Sequence, residues 1–376
     1  MTFVNNLNIH TTKPSAMTQV LIVKPKLRHT WTAVLMILLF GGIFFTACDK
    51  DDDDVANPNA SYQQVNLVAS SNGYGATRVD TNLVNAWGVA IGSTGAFWIA
   101  STEKDLSTVY DRSGTTLINP IDVDGEPTGV VFNPTLDFVI PSSGGQVSKY
   151  IFAGEEGTVQ AWSTGAASVE VADNSADGAV YKGIALGVDD GANFIYIANF
   201  SEGEIEVLDK NFTYVTTKPF IDPLLPIGFA PFNIKNIGGK LWVTYAKQSP
   251  DKYDDESGPG NGYVSVFNTD GTFVKRFASG GTLNSPWGIA QAPSNFDQGS
   301  NAILVGNFGD GRINIYTKDG DYVGQLKDGA IPITIEGLWS LTFPANGIPA
   351  GDQNQLFFTA GPDNEDEGLF GYIQLR

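Results

Sequence analysis

The chain is poor in the side chains that most enzymes use for nucleophilic or metal chemistry. It has two histidines, His10 and His29, and one cysteine, Cys48. Beyond residue 48 there is no histidine and no thiol. Ser-His-Asp triads, Cys-His pairs and histidine-bound zinc are therefore excluded from the body of the protein. Basic residues are also scarce, 22 against 41 acidic ones, for a net charge of −19. A nucleic-acid partner, which needs clustered Lys and Arg for its phosphates, is not expected. Long apolar runs are missing too: Trp31 to Phe45 has 15 residues, short of the ~20 that a spanning helix requires.

Met1 to Ala47 contains no Asp or Glu. Lys24, Lys26 and Arg28, then the apolar run, then small Ala47 follow the order of a secretory signal. Met17 is a more natural start than Met1, since the first 16 residues add nothing a signal needs. Thr46-Ala47-Cys48 resembles the end of the bacterial lipoprotein signal, in which the cysteine is lipidated and becomes the mature N-terminus. Phe45 departs from the usual Leu or Val of that signal. An ordinary cleaved signal or a short anchor is the alternative. Residues 1–47 are thus read as the signal, 48–61 as an acidic flexible tether and 62–376 as a single domain. Cleavage before Cys48 leaves 18 basic and 41 acidic residues, net −23. The run DKDDDD is a solvated tether, and Lys50-Asp51-Asp52 resembles the export tag of surface lipoproteins in some Gram-negative bacteria. The expectation is an exported protein held on the outer membrane by its lipid anchor alone.

From Tyr62 onward the chain repeats. Six segments open alike: AWGVAIG at Ala86, PTGVVF at Pro127, YKGIALG at Tyr181, PFNIKNI at Pro231, PWGIAQA at Pro286 and GLWSLTF at Gly337. Aligning Gly88, Gly129, Gly183, Asn233, Gly288 and Ser340 gives steps of 41, 54, 50, 55 and 52 residues. A second strand, a third strand and a turn follow at matching offsets, as at Asp270-Gly271 and Asp319-Gly320. The sixth unit ends after its third strand, and one strand, Tyr62 to Ala69, is spare at the other end. Four-stranded units at this period are the signature of a β-propeller. The reading is an all-β, six-bladed propeller whose last blade is closed 3+1 by the N-terminal strand, which removes an exposed sheet edge. Tandem β-sandwiches leave the spare strand unexplained.

Nearly all of the mature chain resembles the six-bladed NHL, lactonase and strictosidine-synthase-like propellers. It is most similar to an uncharacterised bacterial propeller family, often secreted, with NLVxxWG and GNFGDGxI-type motifs, here NLVNAWG from Asn82 and GNFGDGRI from Gly306. That resemblance implies a fold and no particular activity.

In such a ring the loops joining second to third strands share a face with the blade-to-blade connections. They carry Glu103, Glu155, Glu202, Asp254, Asp310, Glu365 and further acids, so the face is expected to be strongly negative. Plain solubility explains that equally well; the functional reading is a cation site or a docking face for a basic partner. Asn199 and Asn307 stand at the same place in two blades, in NFSEG and NFGDG. They either cap their turns or point oxygens into the channel mouth. With Glu126 or Glu336 such oxygens suit Ca²⁺ or Mg²⁺. Lactonase-type propellers place a Glu, an Asn and an Asp around such a metal; no residue is carried over from them. Trp87, Trp287 and Trp339 open inner strands and either pack between blades or line the mouth beside Glu202 and Asp310, where an indole face suits a ligand ring. The segment Ala246 to Gly262 is the longest on that face, a mobile stretch or a cover.

The leading reading is a monomeric, lipid-anchored envelope propeller that binds a ligand or basic protein partner and does no chemistry. A Ca²⁺- or Mg²⁺-dependent hydrolase of lactone or ester type is the alternative, and a carboxylate-based glycan-active enzyme the second.

Overall fold

The computed structural model describes residues 60–376 apart from 142, 295 and 297–300. Residues 1–59, which include the expected signal, Cys48 and most of the expected tether, lie outside the described residues. Among the described residues six blade sheets follow one another along the chain, and a two-stranded ribbon, Lys327–Asp328 with Ile331–Pro332, falls between the fifth and the sixth. Their inner strands are Ala86–Ile91, Pro127–Phe132, Tyr181–Asp189, Phe229–Ile237, Pro286–Gln291 and Leu338–Thr342. Each touches the next, and the last touches the first. The result is the expected six-bladed β-propeller.

The closing blade takes the 3+1 form. Leu338–Thr342, Leu356–Ala360 and Leu369–Leu375 come from the C-terminal end, and Tyr62–Ala69 runs antiparallel to the last of them. Tyr62 pairs with Leu375 and Ala69 with Leu369. Arg78–Val79 adds a short parallel strand outside. Tyr62 also stacks on Phe296, with ring centroids 5.0 Å apart, so the clasp grips the fifth blade as well as the sixth. The third blade is the plainest departure from the repeat. It has three regular strands, Tyr181–Asp189, Ala192–Asn199 and Glu204–Leu208, and a single bridge, Leu208 to Tyr214, where a fourth would run. Its outer turn lacks a glycine: Phe212 takes φ 60° instead, and its buried ring packs 5.7 Å from Phe138 of the second blade.

Two features of the inner strands shape the axis. Pairing with the second strand slips in every blade, between Ala86 and Val89, Pro127 and Gly129, Tyr181 and Gly183, Pro231 and Asn233, Pro286 and Gly288, and Leu338 and Leu341. Such bulges re-aim the unpaired side chain. The residues they release are Trp87, Thr128, Lys182, Phe232, Trp287 and Trp339, all buried. The next position is glycine in four blades because inner strands crowd there. A Cβ on Gly88 would meet the Thr128 carbonyl oxygen at 2.4 Å, and one on Gly288 the Trp339 carbonyl oxygen at 2.5 Å. In the fourth blade Asn233 stands there instead, and its amide donates to the Trp287 carbonyl, 2.9 Å.

The aromatic members of that set fill the centre. Trp339 lies between Trp87, at 3.7 Å, and Phe308, at 4.0 Å, stacked on both. Phe200, Phe232 and Trp287 complete the cluster. Geometries of this kind add about 0.5–1.5 kcal/mol per pair beyond burial. The channel is thus plugged, with a cavity on each side of the plug.

Candidate functional site

On the acidic side a cavity of about 260 Å³ opens above Trp87, Phe232 and Trp339. Six carboxylates line it, Glu103, Glu126, Glu155, Asp254, Asp255 and Glu365, with one cation, Lys182. They come from the second-to-third-strand loops of the first, second, fourth and sixth blades and from the link into the second. The negative face expected from the loops therefore converges on the plug.

Lys182 is the central group. It occupies the bulge of the third blade, one residue ahead of Gly183, where other blades carry Trp87, Trp287 and Trp339. It is 2% exposed. Its ammonium donates to Glu155, itself 8% exposed, and lies 3.7 Å from Asp254. It also sits 5.3 Å from the Trp87 ring centroid and 4.9 Å from that of Tyr253. A buried ammonium held by a carboxylate and two aromatic faces combines an ion pair with cation–π attraction. Burial raises the Glu155 pKa, and the Lys182 charge offsets that rise only in part.

Around this pair the other carboxylates are held in different ways. Glu365 accepts the Asn85 amide at 2.7 Å, while the Asn85 carbonyl oxygen accepts the Trp339 indole N–H at 2.8 Å. Burial still lifts Glu365 to about 7. Asp255 is also raised by burial, against donation from the hydroxyls of Ser285 and Ser257. Glu126 accepts the Tyr253 hydroxyl at 3.0 Å, and burial chiefly holds that phenol in its neutral form. The Trp87 indole N–H is buried with no acceptor among the described residues, and buried donors of that kind are rare enough to need an explanation.

The long segment after Ala246 is ordered over this mouth. Gln248 donates to the Phe200 carbonyl at 2.6 Å, Ser249 N–H bonds to the Asp254 carbonyl at 2.8 Å, and Lys247 pairs with Glu256 at 2.7 Å. It delivers Tyr253, Asp254 and Asp255 to the cavity, so it is a built wall and not a loose stretch.

Of the residues singled out from the sequence, the structure brings Glu126, Trp87 and Trp339 to the cavity and leaves Asn199, Asn307, Glu336, Glu202 and Asp310 outside its lining. Asn199 is fully buried and works inside its own turn: its oxygen accepts Ser201 Oγ at 3.0 Å, and its amide donates to Glu206 at 2.6 Å and Glu202 at 3.1 Å. Asn307 does the same, with its amide on the Thr282 carbonyl and Asp310, 2.8 and 3.0 Å. Glu336 accepts the Asp363 N–H at 3.3 Å. Trp287 lies in the plug and faces the opposite cavity. Glu202 joins Glu204 and Glu206 in a cluster with carboxylate oxygens within 4.8 Å of one another. Glu206 there is already engaged by Asn174, Asn199 and Tyr181. The residues that sequence reasoning passed over are Lys182, Tyr253 and Asn85. For Lys182 the one sequence signal is its register, since it precedes Gly183 as Trp87 precedes Gly88 and Trp287 precedes Gly288, and that register points inward only once the bulge is known.

No family model matches the sequence. Among solved structures, the chain resembles a protein of unknown function from Bacteroides thetaiotaomicron, with TM-score 0.55, 10% identity and coverage of 84% of this chain and 76% of that one. It also resembles a "putative gluconolactonase", with TM-score 0.51, 14% identity and coverage of 86% and 94%. At such identities the likeness shows the fold alone. Two proteins of Acanthamoeba polyphaga mimivirus are far more similar in sequence. "Uncharacterized protein R648" is 35% identical over 330 residues, 82% of this chain and 80% of the relative. "Uncharacterized protein L690" is 33% identical over 331 residues, 82% of this chain and 85% of the relative. Shared sequence over that length, on a six-bladed ring, means that the chain belongs to one family with these two mimivirus proteins.

Proposed function

We propose that the protein is a ligand-binding propeller that takes a cationic group into its acidic mouth. One observation carries this reading: six carboxylates converge on a cavity that holds one ammonium. Lys182 illustrates the chemistry the site suits, an ammonium between carboxylates and aromatic faces. A ligand ammonium, or a Lys side chain of a basic partner, meets carboxylates of the same kind in Glu126 and in Glu365, whose ionisation it favours. The unused Trp87 N–H adds a donor for an acceptor atom on the same ligand. In this reading the propeller acts in the cell envelope, exported by the N-terminal signal and held to the outer membrane through Cys48. Fatty-acid labelling of the wild type and not of Cys48→Ala tests the anchor; equal labelling of both removes it.

A second reading keeps the fold likeness to the "putative gluconolactonase" in view. Glu126, Asp254, Asp255 and Glu365 are hard oxygen donors of the kind that hold Ca²⁺ or Mg²⁺, and a metal there could serve a lactone or ester hydrolase. Calorimetry and thermal unfolding with 1,5-diaminopentane, CaCl₂ and NaCl at matched ionic strength separate the cases. A saturable shift with the diamine supports the ammonium site, and one with Ca²⁺ alone supports the metal. If NaCl reproduces every shift, the face is only a screened acidic surface and both readings fall.

A further inference from the structure

The cavity on the other side of the plug has the opposite chemistry. It measures about 390 Å³, within the size of small-molecule sites. Its walls are the later halves of the inner strands, with Ile91, Val131, Phe132 and Leu186 among the apolar members. The lining contains no carboxylate and a single charged residue, Lys235. The register of the repeat makes this lysine conspicuous. It stands two places after Asn233, where the other inner strands carry Ala90, Val131, Ala185, Ala290 and Thr342.

Lys235 Nζ donates to one described acceptor, the Leu341 carbonyl across the channel at 2.7 Å. An ammonium has three donors, and no carboxylate lines the cavity to balance its charge. Burial alone pulls its pKa down to about 8. The group is therefore still mostly charged at neutral pH, and its half-buried side chain keeps that charge at the open mouth of the cavity with no carboxylate beside it. Nothing packed around it requires a cation. Its neighbours at the cavity rim, Asn233, Asn236, Ser340 and Thr342, are neutral, and the Asn236 side-chain oxygen already accepts the Gly239 N–H at 3.1 Å.

We propose that this second mouth is a binding site for a small monocarboxylate with an apolar body, the carboxylate paired with Lys235 Nζ and the body laid against the aliphatic walls. The carboxylate supplies the missing countercharge, and charge-assisted hydrogen bonds are the stronger kind. The apolar walls select the body. The chain's overall negative charge opposes the approach of an anion, but that field is screened within about 8 Å at physiological salt. Pairing inside the cavity is not screened in the same way. The plug separates this site from the acidic mouth, so it stands or falls independently of the cation reading.

The test uses hexanoate as the probe, with hexan-1-ol and hexylamine as matched neutral and cationic controls. Calorimetry is expected to show saturable binding of hexanoate, at least tenfold weaker for both controls, and a loss of tenfold or more in Lys235→Met. A second readout needs no variant. After reductive methylation with ¹³C-formaldehyde, the Lys235 signal is followed by NMR through a pH titration. Hexanoate should move its titration to higher pH, because a carboxylate partner favours the charged form. Equal binding of hexanol and hexanoate, or a Lys235 titration that hexanoate leaves in place, overturns the proposal.

Discussion

The ammonium of Lys182 lies 4.9 Å from the ring centroid of Tyr253, a contact between the bulge of the third blade and the wall over the fourth. Tyr253 in turn donates to Glu126 in the link into the second blade. One side chain thus ties three sectors of the ring together at the mouth. Removing the Lys182 charge leaves Glu155 buried without its partner, and breaking a buried pair from one side costs about 3–5 kcal/mol. Lys182→Met is expected to lower stability by that order in chemical denaturation. Adding Glu155→Gln should restore most of the loss. A Lys182→Met protein as stable as its parent would show that the pair is incidental.

Glu365 makes the mouth sensitive to pH. Burial raises its pKa from the usual carboxylate value of 4.5 to about 7 in the folded state, so between those values the native protein holds a proton that the unfolded chain has lost. Stability contributed by the neutral carboxyl is complete below about 4.5 and fades as pH rises through 7. The span is on the order of 3 kcal/mol at full ionisation. Glu365→Gln should flatten this part of the stability profile, gaining relative to wild type at pH 8 and not at pH 4.5. A bound cation favours the ionised form, so affinity for 1,5-diaminopentane should increase between pH 6 and 8 and release a proton on binding. An affinity that is flat across that range argues against Glu365 as a contact.

The crowding at the axis predicts a sharp contrast between two glycines. Gly288→Ala places a methyl 2.5 Å from the Trp339 carbonyl oxygen and 2.9 Å from the Leu341 side chain. Overpacking of that kind costs about 1–3 kcal/mol. Gly324, in an outer strand, has open space where its Cβ would go, so Gly324→Ala should be neutral or slightly stabilising. Melting temperatures of the two variants decide the matter, and similar losses in both refute it.

The clasp predicts a further asymmetry. Deleting Tyr62–Ala69 strips the antiparallel partner from Leu369–Leu375 and the stacking partner from Phe296. It should abolish cooperative unfolding or lower the melting temperature steeply, whereas deleting residues 49–59 should leave it unchanged. Two truncations that melt like the parent would remove the strand from the fold's essential parts.

The ring itself was legible because the spacing of Gly88, Gly129, Gly183, Gly288 and their kin records a backbone constraint: strands meeting at an axis leave no room for a side chain. The 3+1 closure was legible from one strand too many at the start and one too few at the end. The acidic mouth was legible only as a tendency of the loops. Lys182 was hidden because a lysine in YKGIALG reads as an ordinary strand residue until the bulge at that position is known to turn it inward. Asn199 and Asn307 were noticed for their shared place, but sequence does not say which amide atoms a turn will consume. Both spend their bonds on neighbours such as Ser201 and Thr282. The segment bearing Tyr253 looked loose by composition, and it is ordered by backbone bonds such as Gln248 N–H to the Gly228 carbonyl, 2.8 Å, which no composition reveals.

The pairing of Tyr62 with Leu375 also governs when the molecule can exist. The partner of Tyr62 is made 313 residues after it (375 − 62), so a nascent chain that has not reached Leu375 holds no closed ring, and the first strand must wait while every blade is synthesised. Contacts this distant along the chain carry a large loop-closure entropy and slow the folding that depends on them. The blades can form as local hairpins in sequence, but the seam joins in a separate, late step.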